Sequence, residues 1–112
     1  MELIEKEVSK NTLIITVNGE LITHEEVEKF RRVLTSREHR NMVINLKKVS
    51  FLCSLAIGMM IMGYKQSSSR QGSFILCHAP KEAEDSLYDM GLLDLLTFAK
   101  DEAEALVMLE EK

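Results

Sequence analysis

The sequence predicts an α/β domain in which an N-terminal hairpin leads into successive βα units, giving a mixed, mainly parallel sheet flanked by about four helices. Three observations point there. Residues 3–8 and 12–18 read as strands around a turn, apolar runs at 42–46 and 73–77 read as strands buried on both faces, and helical patterns alternate with them. Short connections between alternating elements imply parallel pairing with right-handed crossovers.

In order along the chain, Ser9, Lys10 and Asn11 form the first turn. Leu13, Ile15 and Val17 then alternate with Thr12, Ile14 and Thr16, a strand period with one strongly apolar face. Asn18-Gly19 breaks that strand. Thr23 with Glu26 has the spacing of a capping box, and Val27, Phe30 and Leu34 put one face of a helix over residues 24–36 inward. After the 42–46 strand a helix spans residues 53–66, and Gly72 leads into the strand Phe74-Ile75-Leu76-Cys77. Pro80 suits the first turn of a helix that Gly91 ends, with Ala83, Leu87 and Met90 inward. Leu96-Thr97-Phe98 makes a last short strand. Asp101 and Glu104 cap a final helix expected to bury Leu106 and Leu109.

Composition narrows the function classes. A chain of 112 residues with 46% hydrophobic and 29% charged residues describes one globular domain over residues 1–112. At this length about two-thirds of the unfolded surface can be buried, so neither metal nor disulfide is required for folding. The net charge of −4 argues against a general nucleic-acid binder or an anionic-membrane binder. The longest apolar run, Leu52 to Tyr64, is too short and too broken for a bilayer span. The opening Met1-Glu2-Leu3-Ile4-Glu5 is acidic where a leader would be basic, so a cytoplasmic location is expected. In that reducing compartment Cys53 and Cys77 are expected to be free thiols. Charge is uneven: residues 29–48 are basic and residues 81–112 acidic, which reads as solvated helix faces or as a dipolar surface that orients a partner.

The segment Val43-Ile44-Asn45-Leu46-Lys47-Lys48-Val49-Ser50-Phe51-Leu52-Cys53-Ser54-Leu55-Ala56-Ile57-Gly58 resembles the signature of the STAS domain, the domain of bacterial anti-sigma factor antagonists. Asn18-Gly19-Glu20-Leu21, Gly72 and its strand, Met90-Gly91-Leu92-Leu93 and the run from Asp101 to Leu106 match further landmarks in order. The resemblance implies a non-enzymatic module that binds an anti-sigma factor or related signalling protein. It also implies a phosphoacceptor in an Asp-Ser-Ser-Gly motif, and here this sequence departs. Leu55 stands at the acceptor position, Cys53 at the aspartate, Ala56 at the glycine, and Asn45 replaces an aspartate of the preceding strand. Leucine has no hydroxyl, so the usual phosphoswitch cannot operate there. Ser54 is the nearest hydroxyl and corresponds to the serine that is not phosphorylated.

Read from its own residues, the helix after Cys53 carries two apolar stripes. Ile57, Met60, Ile61 and Tyr64 form one, and Leu55, Met59 and Met62 the other. Either both are core or the second is a partner surface, for which flexible methionines are well suited. The expected contact set is therefore Cys53, Ser54, Leu55, Ala56, Met59 and Met62. The alternatives are a scaffold or homodimer built on the same patch, and a small-ligand or nucleotide binder at the helix N-termini. No phosphate loop or catalytic constellation is present, no cofactor is implied, and His24 with Glu28 supplies only two of the ligands a metal needs.

Overall fold

A computed structural model describes residues 1–110. Five strands, β1 (Glu2–Ser9), β2 (Thr12–Asn18), β3 (Asn41–Lys48), β4 (Phe74–Cys77) and β5 (Thr97–Ala99), form one sheet in the order β1-β2-β3-β4-β5. The β1–β2 pair is antiparallel and every later pair is parallel, with Met42 opposite Phe74 and Ile44 opposite Leu76. The helices are α1 (His24–Ser36), α2 (Ser54–Ser69), α3 (Lys81–Asp89) and α4 (Glu102–Glu110).

Strand alternation divides the core in two. Leu13, Ile15 and Val17 of β2, Ile44 of β3 and Leu76 of β4 pack against Val27, Phe30 and Leu34 of α1, Ile57 and Met60 of α2 and Leu87 of α3. The intervening residues Ile14, Val43, Ile75, Cys77 and Ala99 point the other way and meet Ala105, Met108 and Leu109 of α4. The second strand is thus apolar on both faces rather than one, since Ile14 is as buried as its neighbours. Three helices cover one face of the sheet and one covers the other.

The capping box at α1 forms as the spacing requires. The Thr23 hydroxyl accepts the Glu26 amide at 3.1 Å and Glu26 Oε1 accepts the Thr23 amide at 3.1 Å. Three expected core positions are corrected. Met90 is half-exposed, because α3 ends at Asp89 and the chain turns out through Gly91 at φ 72°. The Leu92 amide then bonds Leu87 O at 2.8 Å and the Gly91 amide bonds Tyr88 O, so it is Leu92 that folds back onto the core. In α4 the buried residue is Ala105, while Leu106 and Leu109 are only half-buried. Its N-terminus is capped as expected, with the Glu104 amide donating to Asp101 Oδ1 at 2.8 Å.

Helix α2 runs three residues beyond the expected end. Its last turn closes with the Gly72 amide on Ser67 O at 2.8 Å, while Gln71 adopts a left-handed φ of 60°. Glycine is needed at 72 instead, because a Cβ there would lie 2.0 Å from Arg40 O. That close approach locks the end of α2 against the start of β3.

Candidate functional site

The N-terminus of α2 follows directly from the carboxyl end of β3, where the loops 18–23 and 49–53 meet. Glu20 joins them: its Oε1 accepts both the Ser50 amide and the Ser50 hydroxyl at 2.8 Å. Cys53, the N-cap of α2, makes no side-chain capping bond and instead directs its Sγ–H to Leu21 O at 3.2 Å. The thiol thus clips the two loops together. Ser54 is exposed at the first helical position and Leu55 is half-buried beside it.

The roll of α2 on the sheet decides what the solvent sees. Its inward line is Ala56, Met60, Gly63 and Ser67, with Ile57 alongside. Small residues at three of these positions let the helix come close: a Cβ at Gly63 would lie 2.4 Å from the Phe74 ring. This tips Ile61 and Tyr64 to one flank and Leu55, Met59 and Met62 to the other, all half-buried against the core. Neither alternative drawn from the two stripes holds in full, because the second stripe is half core and half surface. Ala56 leaves the expected contact set, since it is completely buried under the helix. Leu55, Met59 and Met62 share a half-buried flank, while Cys53 is half-buried at the N-cap, Ser54 is exposed and Gly58 faces open space.

Two further apolar residues, which the sequence reading did not single out, lie exposed on the loops that meet at the start of α2. Ile22 is 50% exposed and Phe51 40% exposed, on the two loops that Glu20 and Cys53 tie together. Each is one of an adjacent apolar pair, Leu21-Ile22 and Phe51-Leu52, whose other member is buried. An adjacent apolar pair in a loop often leaves one member outside the core, and that was the available signal.

Asn45 lies elsewhere. It points to the α4 face of the sheet, donates from Nδ2 to Glu102 Oε2 at 2.6 Å, and accepts the Lys47 amide on Oδ1 at 2.9 Å. Beside it in the sheet register is Cys77, whose thiol burial pushes up to about 12, with the charges of Glu102 and Asp101 adding to the effect. Cys53 and Cys77 therefore occupy opposite faces of the sheet and both are free. Of the expected metal pair, Glu28 is engaged by the Arg31 guanidinium, which holds its carboxyl below the usual range. Among the described residues no three His, Cys, Asp or Glu side chains converge as a metal site. No described helix is long and apolar enough to cross a membrane. Two cavities, of about 310 and 260 Å³, adjoin at the amino end of the sheet, away from Cys53 and Ser54.

The model of the STAS domain matches residues 4–105. The chain belongs to the STAS family. Among solved structures, this STAS domain resembles the anti-sigma factor antagonist SpoIIAA in its unphosphorylated form, with a TM-score of 0.81 and 21% identity over 99% of this chain and 98% of that one. The phosphorylated form of SpoIIAA, a Bacillus cell fate determinant, gives a TM-score of 0.75 at 21% identity over 96% and 98%. A putative anti-sigma factor antagonist from Thermotoga maritima gives 0.85 at 18% identity over 96% and 94%. At these identities the likeness is one of fold.

Proposed function

We propose that this STAS domain is a non-enzymatic interaction module of the anti-sigma-factor-antagonist kind, which binds an anti-sigma factor or related signalling protein through the N-terminal flank of α2 without a phosphoswitch at Leu55. The observation that carries this reading is the patch itself. Ile22, Phe51, Leu55, Met59 and Met62 are apolar and accessible around a helix start whose acceptor hydroxyl is replaced by an isobutyl group. Apolar surface grouped in this way marks a protein contact. SpoIIAA, whose fold this chain shares, exists in an unphosphorylated and a phosphorylated form, which supports reading the departure at Leu55 as the loss of a switch.

The test uses three forms of the full chain as bait in native lysate: the natural sequence, Leu55→Glu and Leu55→Ser. The natural sequence should capture an anti-sigma-type kinase. Leu55→Glu puts a negative charge into the half-buried flank, where the side chain can swing outward. It should fold with a modestly lower melting temperature and lose about thirtyfold or more in affinity. Incubated with ATP and the captured partner, the natural chain should keep its mass and Leu55→Ser should gain one phosphoryl group. A phosphoryl group mapped to Ser54 of the natural chain, or undiminished binding by a folded Leu55→Glu, would sink the proposal.

A further inference from the structure

The two faces of the sheet are unequally covered. Five strands at about 4.8 Å spacing make a sheet roughly 20–24 Å wide, whereas one helix is about 10 Å across. On the α4 side that single helix lies over β3, β4 and β5 and reaches Ile14 of β2, which leaves the outer edge of this face, at β1, bare among the described residues. The register puts Ile4, Lys6 and Val8 of β1 on this bare edge, since Ile4 pairs with Thr16 and Lys6 with the α4-facing Ile14. Ile4 is 48% exposed and Val8 43%. Between this strip and α4 runs a groove of about 310 Å³ walled by Val8 on one side and Leu106 and Leu109 on the other. The helix is itself apolar on more than its sheet face, with Val107 51% exposed.

We propose that a second copy of this chain fills the groove, the outer face of each α4 lying on the bare β1 strip of the other across a two-fold axis. Such an isologous contact pairs the same surface on both copies, the exposed Val107 side of α4 with Ile4 and Val8 of β1. It is also self-complementary in charge. The strip and its turn carry Lys6 and Lys10 beside Glu2, whereas the outer face of α4 carries Glu110 and Glu104, the latter also accepting the Lys100 amide. Docking sets the acids of one copy among the bases of the other, so charge steers the two copies into register. This face lies on the opposite side of the sheet from the α2 patch, so a dimer formed here leaves both α2 patches free.

Sedimentation equilibrium of the full chain, run from nanomolar to about 100 μM, tests the proposal against the habitual range of specific affinities. The natural chain should be a dimer at the upper end. Val107→Glu and Ile4→Glu, both at exposed positions, should leave the melting temperature unchanged and raise the dimer dissociation constant at least about tenfold. Lys6→Glu should weaken the dimer, and Glu110→Lys added to it should restore association. Leu55→Glu should leave the dimer intact. A chain monomeric throughout the range, or a dimer that Leu55→Glu breaks and Val107→Glu spares, would overturn it.

Discussion

At the level of single residues, what matters is which side of the sheet a side chain faces. Cys53 and Cys77 look equivalent in the sequence, each at the end of a buried apolar run. In the fold Cys53 sits at the α2 N-cap, partly accessible, and Cys77 is sealed beneath α4. Burial raises the Cys77 thiol to about 12 from an ordinary value of about 8.5. Its contribution to stability is therefore full below about pH 8.5 and drains away as the pH climbs toward 12. Iodoacetamide at pH 8 should accordingly alkylate Cys53 in the native protein and spare Cys77, as read by peptide mass spectrometry. Equal rates at the two thiols would show that α4 does not seal its face. The α2 patch was half legible in the same way. Spacing alone separated Leu55, Met59 and Met62 from the other apolar residues of the helix. It did not reveal that Ala56, Gly63 and Ser67 form the inward line, because small residues carry little hydrophobic signal and act by allowing close approach.

Among the elements, those with a terminal motif were the ones whose limits could be read. Helix α1 begins where Thr23 and Glu26 say it must. Thr23→Ala should cost about 1 kcal/mol in denaturant unfolding, the usual worth of such a cap. The Glu26 carboxyl is held below its ordinary value, first by the Thr23 amide and then by that of Ile22. A depressed carboxyl contributes stability above its unfolded value of about 4.3, and that contribution fades as the pH falls through the lower folded value. Glu26→Gln should therefore be less stable than the natural chain at pH 6 and match it near pH 2, a convergence that unfolding curves at the two pH values would reveal. Where a helix ends through a left-handed residue the sequence was less informative. Met90 continues the spacing of Ala83 and Leu87, yet the turn at Gly91 hands its place in the core to Leu92. Gln71 occupies a position that usually signals itself by glycine, so the last turn of α2 was not foreseen.

For the whole molecule, the alternation of strands and helices called for parallel pairing, and the observed sequential strand order puts α1, α2 and α3 on one face, because each is a crossover in the same direction between neighbouring strands. No described strand follows α4, so handedness says nothing about where it lies. Its place on the far face is set by a small apolar contact through Ala105, Met108 and Leu109, and by the hydrogen bond from Asn45 to Glu102. Asn45 stands where similar domains have an aspartate, and the exchange makes sense only with α4 in view. An aspartate would set a second carboxylate against Glu102 Oε2, at a distance where the amide now donates over 2.6 Å. Asn45→Asp loses a hydrogen bond to a charged acceptor, worth about 1.5–3 kcal/mol, and adds repulsion in a site where residue 45 is only 8% exposed. One of the two carboxyls must then titrate above its ordinary value. Stability is intact below the unfolded value near 4 and lost as the pH rises through the folded one. The variant should thus trail the natural chain by about 2 kcal/mol at pH 7 and nearly match it at pH 4 in denaturant unfolding. Loosening α4 should also open Cys77 to alkylation at neutral pH while Cys53 reacts as before. An Asn45→Asp chain as stable at pH 7 as the natural one, with Cys77 still protected, would mean that apolar packing alone holds α4 to the sheet.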